Sequence, residues 1–146
     1  MKHLKRNLAV ACALATVAVG APAWAFGSDA RLAGAKLEAA GYRNIHDLEY
    51  DDGLWEADVT RPDGSWGEVA VDPKTGEIFD ERDGRPLLDA AAVVQRLNAL
   101  GYRTVIEIER DGAVWDVEAI NAQGQRMDLR LGGHDGRLLH SQRDYD

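Results

Sequence analysis

Residues 37–60, LEAAGYRNIHDLEYDDGLWEADVT, return sixty positions later as residues 97–120, LNALGYRTVIEIERDGAVWDVEAI. Leu37 meets Leu97, Gly41-Tyr42-Arg43 meets Gly101-Tyr102-Arg103, and Trp55 meets Trp115, all without a gap. The register continues outward. Gly64 meets Gly124, Gly76 meets Gly136, and conservative pairs such as Ile45 with Val105 and Ile78 with Leu138 fill the space between. Chance does not hold register through three turns, so the chain is a duplication, and one copy can be read through the other.

Each copy opens with a helix. Ala30, Ala33, Leu37 and Ala40 recur at helical spacing, as do Ala90, Val93, Leu97 and Leu100, with Val94 added. Asp29 and Asp89 stand at the N-cap position, where a carboxylate accepts the first free N–H groups. Gly41 and Gly101 stop the helices, because glycine takes the left-handed conformation without penalty. The Tyr after each Gly is expected to fold back onto the last turn.

The period then changes to two. Trp55, Ala57 and Val59 alternate with Glu56, Asp58 and Thr60; Trp115, Val117 and Ala119 alternate with Asp116, Glu118 and Ile120. Val69 with Val71, and Met127 with Leu129 and Leu131, repeat the pattern. Turn chemistry separates the runs at Asp51-Asp52-Gly53, Pro62-Asp63-Gly64 and Asp72 to Gly76, and at the matching places in the second copy. Short connections predict an antiparallel meander. The expected fold class is therefore α+β: two tandem α-β-β-β-β modules, each a helix packed on a meander sheet with one wet face. Ile45 and Leu48 break the alternation, which predicts a bulge or a late strand start. A copy of about 45 residues buries little core alone, so the two should pack together, joined by Glu81 to Leu88. The helices are expected on one side of the sheets, against Trp55 and Trp115. Phe79 and Leu139 read as strand-end core, and Gln142 to Asp146 as a polar, frayed tail.

The N-terminus carries a different message. Lys2, His3, Lys5 and Arg6 precede an uncharged apolar run from Leu8 to Gly20, then Ala21-Pro22-Ala23-Trp24-Ala25. This reads as a secretory signal, residues 1–25, cleaved before Phe26, and the run is shorter than the about 20 residues of a spanning helix. Residues 26–82 and 83–146 are then the two repeats, exported to the periplasm or outside the cell and leaving no membrane segment. Cys12, the only cysteine, leaves with the signal, so the mature chain has no disulfide and no thiolate. Losing Lys2, Lys5 and Arg6 without any acid moves the formal net charge from −8 to −11. Such a chain repels phosphate backbones and anionic lipid, which argues against nucleic acid and membrane surfaces as partners.

The order of motifs resembles the PepSY family of exported bacterial modules. The first copy carries Gly41-Tyr42, Gly53-Leu54-Trp55-Glu56-Ala57 and Val71-Asp72-Pro73-Lys74-Thr75-Gly76-Glu77-Ile78. The second keeps Gly101-Tyr102 and Trp115-Asp116-Val117 but departs at Leu131-Gly132-Gly133-His134-Asp135-Gly136. The resemblance implies a non-catalytic module, as in propeptides that restrain thermolysin-type proteases, with no catalytic residue to carry over.

The residues themselves give no catalytic constellation. Ser28, Ser65 and Ser141, and His46, His134 and His140, fall in separate elements or at their edges. His134, His140 and Asp135 could meet if a turn allowed it. Glu56 with Asp58 could hold a cation, but neither Asp51-Asp52-Gly53 nor Asp72 to Glu77 has calcium-loop spacing. No cofactor or metal is expected, and the strand acids read as wet-face charges. Trp66 is the odd aromatic: its counterpart is Arg126, and its parity puts it opposite Val69 and Val71, towards solvent. Trp and Arg are interface-anchoring types, so Trp66 and Arg126 are the candidate partner-binding residues. The expected function is binding or inhibition of an exported protein in the cell envelope, a protease among the candidates. The alternatives are small-molecule or cation sensing through the acidic face, and a structural role without a ligand.

Overall fold

A computed structural model describes residues 30–145. The signal segment, Cys12, Ser28 and the Asp29 cap lie outside them. In each module a helix precedes a four-stranded antiparallel meander: α1 (Ala30–Ala39), β1 (Arg43–Asp51), β2 (Leu54–Thr60), β3 (Trp66–Val71) and β4 (Ile78–Phe79), then α2 (Ala90–Ala99), β5 (Thr104–Asp111), β6 (Val114–Ile120), β7 (Arg126–Gly132) and β8 (Leu138–Arg143). The sheets stay separate, in orders β1-β2-β3-β4 and β5-β6-β7-β8.

The helix ends follow their residues. The Asp89 side chain accepts from Ala92 N at 2.8 Å. Gly41 and Gly101 take φ of 92° and 95°, and the next N–H groups, of Tyr42 and Tyr102, return to the Leu37 and Leu97 carbonyls at 3.1 and 3.0 Å. Ala40 and Leu100 are exposed, not core, because the helices stop one residue short of them.

The broken alternation is a bulged edge strand. Ile45 and Leu48 lie three apart yet both pack on the first core, and a regular strand would put them on opposite faces. β1 shifts register twice against β2, between Arg43 and His46 and between His46 and Glu49, with Asn44 and Asp47 at φ 48°. β5 does the same once, between Val105 and Glu107.

Each helix packs on its own sheet. Ala33 and Leu37 meet Trp55, Ala57, Val59, Val69 and Val71; Val93 and Leu97 meet Trp115, Val117, Ala119, Leu129 and Leu131. The faces turned away from the helices are not uniformly wet. Their apolar ends, Leu54, Ala70 and Phe79 from one module and Ala113, Val114 and Leu139 from the other, form a third core between the modules, with Leu87 of the linker against it. The helices therefore lie on the two outsides of the pair of sheets, not on one side. Phe79 and Leu139 are buried as expected, but in this shared core. The tail is ordered further than its polarity suggests, since β8 pairs Gln142 with Asp128 and Arg143 with Met127.

Exchanging the modules maps this junction onto itself. Leu54 and Val114 are repeat mates, and so are Phe79 and Leu139. The relation is an approximate two-fold, the intramolecular form of an isologous dimer interface. At its centre the symmetry fails: the mate of Ala70 is Arg130. Arg130 Nε donates to Asp116 Oδ1 at 2.8 Å, Nη2 to Glu56 Oε1 at 2.5 Å and Nη1 to the Asp51 carbonyl at 3.2 Å. Glu56 and Asp116 are themselves repeat mates, so one guanidinium serves both and they are not free wet-face charges. Arg137 adds a second tie across the junction, to Asp72 at 3.2 Å and Glu77 at 2.7 Å.

Candidate functional site

The helix-free sheet faces, beyond the apolar junction, are where the strand acids collect. On the first module, Asp47, Glu49, Glu56, Asp58 and Glu68 line a shallow groove of about 210 Å3. Burial pushes the Glu68 carboxyl above its usual range, and the nearby charges of Asp111, Glu56 and Asp58 push the same way. On the second module, Glu107, Glu109, Asp116, Glu118 and Asp128 line a groove of about 270 Å3, with His140 and Gln142 at its side and Asp52 reaching it from the first module. Burial likewise raises the Asp116 carboxyl, although Arg130 opposes it.

Trp66 stands on the same sheet face as the first groove, two residues along β3 from Glu68. It opens β3 opposite Thr60 of β2, and its side chain is on the helix-free face with Glu68, as the parity predicts. It is 57% exposed, the most exposed tryptophan among the described residues. Its one ring neighbour among the described residues is His46 of the bulged strand, with centroids 6.3 Å apart. Arg126, its repeat mate, is 47% exposed but already engaged with Glu118 and, at 2.7 Å, with Asp144. The two candidates therefore sit at equivalent places on different sheets, Trp66 open and Arg126 neutralised.

What holds the Trp66 strand in place is a buried polar cluster that sequence reading missed. Asp80 accepts the Tyr42 hydroxyl at 2.9 Å and the Arg61 Nε at 2.8 Å, and Arg61 Nη1 donates to the Trp66 carbonyl at 2.7 Å. Arg61 and Asp80 are both buried. Gly67 leaves the room, since a Cβ there would collide with the Arg61 guanidinium. Burial, reinforced by the Asp80 charge, pushes the Tyr42 phenol well above its usual value. The signal was faint because the second copy does not repeat it: the mates of Arg61, Gly67 and Asp80 are Asn121, Met127 and His140.

The remaining polar candidates are dispersed. His134 Nδ1 lies 3.0 Å from the Pro86 carbonyl and Nε2 3.8 Å from Asp83, whereas the His140 ring lies against Gly53, so the two histidines do not form a site with Asp135. Ser65 is tied to Asp63 at 2.6 Å in its turn, and Ser141 pairs with Leu129 in the sheet. Asp72 is locked by Lys74 N and Thr75 Oγ1 at 2.8 and 3.0 Å. Among the described residues no three or more His, Cys, Asp or Glu are placed to hold a metal, and no helix is long and apolar enough to cross a membrane. An exposed indole beside a row of carboxylates can receive a cationic side chain, through the ring face and the charges together.

No curated protein and no solved structure matches this chain. A family model described as peptidase propeptide and YPEB domain matches it twice, over residues 7–82 and over residues 83–142.

Proposed function

This chain belongs to the PepSY family, carrying its module in tandem, and from that premise we propose that it is an exported, non-catalytic binding protein for another exported protein, a peptidase being the first class to test. The observation that carries the reading is Trp66, 57% exposed and two residues along β3 from Glu68 on the same acid-bearing face of the first sheet. The basic start and apolar run before Phe26 support export. The acid row favours a partner that presents Lys or Arg at the contact. Arg126 contributes less than Trp66, because Glu118 and Asp144 already hold it.

The test is affinity capture from a cell-envelope extract with residues 26–146 as bait, Trp66→Ala in parallel and bound proteins identified by mass spectrometry. A single enriched protein lost with the mutant is the expected outcome. Enrichment that survives Trp66→Ala moves the contact elsewhere, and none at all removes the reading. The two acid-lined grooves also support a second reading, uptake of a small cationic ligand. A thermal-shift screen that leaves the melting temperature flat would dispose of it.

A further inference from the structure

The last strand of the first sheet stops short of its counterpart in the second. In the second module β8 runs along β7, pairing Ser141 with Leu129, Gln142 with Asp128 and Arg143 with Met127. The Asp144 N–H carries the pairing on to the Arg126 carbonyl at 3.1 Å. In the first module β4 pairs only with Val71 and Ala70. The mates of Ser141, Gln142 and Arg143 are Glu81, Arg82 and Asp83. They leave the sheet, and the Asp83 N–H turns back to the Asp80 carbonyl at 3.3 Å. Among the described residues no strand pairs with the β3 edge from Trp66 to Glu68.

Alternation sets where the backbone groups of that edge point. The Arg61 N–H bonds the Ser65 carbonyl across the β2–β3 turn, whereas the Asp72 N–H bonds the Glu77 carbonyl on the other side of β3. Odd-numbered residues of β3 therefore face β2, and Trp66 and Glu68 turn both N–H and C=O to the uncovered edge. Their carbonyls receive the Arg61 guanidinium at 2.7 and 3.4 Å. That guanidinium lies over Gly67, on the side of its core-facing strand partner Val59, where a Cβ on Gly67 would collide with it. It caps the carbonyls from the helix side, and each carbonyl keeps a second lone pair for a donor in the plane of the sheet.

The second module also shows what chemistry fits. Across β7 and β8 the helix-free side chains are complementary: the Gln142 amide serves the Asp128 carboxylate, and the Asp144 carboxylate meets Arg126 at 2.7 Å. In the first module those two places hold Glu68 and Trp66, with Asp58 directly beside Glu68 on β2. Lys or Arg answers both, through the carboxylates at one place and the indole face at the other. The residue between them takes the place of Arg143 and projects to the helix side. There Arg61 fills the room that Met127 has in the second module, so that residue must be small and uncharged. A second copy adding its own β3 would bring Glu68 carboxylates together, which disfavours it.

We propose that the β3 edge from Trp66 to Glu68 receives an antiparallel strand of the partner protein, read as Lys or Arg, a small residue, then Lys or Arg. The inference rests on the reading of this face as the contact, and adds that the partner's main chain is recognised as well as its side chains.

The probe is the peptide acetyl-Thr-Lys-Ser-Lys-Thr-amide, titrated into isotope-labelled residues 26–146 and followed by NMR. With peptide bound, hydrogen exchange at the Trp66 and Glu68 amides should slow, while that at Gly67, which already faces β2, should not change. N-methylation of either lysine removes a pairing N–H and should weaken binding about tenfold, whereas N-methylation of the serine, which faces away, should change it by less than about twofold. Arginine in place of the serine should bind more weakly despite its added charge. No binding at millimolar peptide, unprotected Trp66 and Glu68 amides, or tighter binding of the arginine peptide would overturn the proposal. Binding that falls with Trp66→Ala yet ignores N-methylation would overturn the strand and leave the Trp66 contact standing. Sensitivity to N-methylation that survives Trp66→Ala would keep the strand and remove the Trp66 anchor.

Discussion

Replacing Arg130 with Ala tests whether the two modules are held as one body by a shared charge. The guanidinium is 8% exposed, and its carboxylate partners are 21% exposed at Glu56 and 42% at Asp116. Breaking a fully buried pair typically costs 3–5 kcal/mol because a charge is left without its partner; partial exposure of both acids brings the expectation to about 2–4 kcal/mol. With an unfolding entropy of about 2.1 cal/mol/K per residue over residues 30–145, that is a fall in melting temperature of about 8–16 °C. The sign with pH follows from Asp116. Its carboxyl is already raised by burial while Arg130 lowers it, so removing Arg130 raises it further. A carboxyl raised in the fold favours the folded state at low pH, so the deficit should be largest near pH 7 and shrink towards the ordinary carboxylate value of about 4. Calorimetry of both chains across that range is the assay. Arg130→Met combined with Glu56→Gln and Asp116→Asn should recover most of the loss, since no charge is then stranded. A variant melting within about 2 °C of the parent at pH 7, or a deficit that grows on acidification, would refute the reasoning.

Tyr42→Phe removes one bond to the Asp80 carboxylate and should cost about 1.5–3 kcal/mol by thermal melting. In the parent, the raised Tyr42 phenol contributes stability in full below about pH 10 and loses it as pH rises through the folded value; absorbance titration should show one tyrosine ionising late, and the Phe variant should lack it. Phe79→Ala empties the core between the modules, where the ring is 2% exposed; it should cost about 3–5 kcal/mol and broaden or split the single calorimetric transition. Trp66→Ala, at an exposed position, should shift stability by no more than about 0.5 kcal/mol, so that any loss of captured partner reads as contact and not as unfolding.

The repeat made most of the fold legible. Glycine stops, capping Asp89, the change of period and the position of the bulge at Ile45 to Leu48 all depend on local rules that two aligned copies state twice. The outward side of Trp66 followed from parity alone. What did not show was whatever one copy has and the other lacks. Arg61, Gly67 and Asp80 form a set only across strands, and their mates are unrelated residues, so no pattern flagged them. The alternation Trp55-Glu56-Ala57-Asp58 marks one face as polar, but parity cannot say whether that polar face meets water or another sheet. Leu54, Ala70 and Val114 stand on that face and are buried by the other module. The helical spacing overran at Ala40 and Leu100 because periodicity carries no information about the turn at which glycine takes over.

The approximate two-fold bears on where a partner can bind. An isologous junction uses the same patch on both modules, so it consumes Leu54 with Val114 and Phe79 with Leu139 equally. A symmetric ancestor would have presented the same leftover surface twice. Here the leftovers differ: one ends in an open tryptophan whose strand is pinned by Arg61 and Asp80, the other in an arginine saturated by Glu118 and Asp144. Rigid support of an exposed aromatic lowers the entropy lost when it is immobilised in a contact, whereas an arginine must first leave its own carboxylates. Divergence at Ala70 and Arg130 fixed how the modules join. Divergence at Trp66 and Arg126 makes one helix-free face the better anchor, so a partner is expected to engage the first module first.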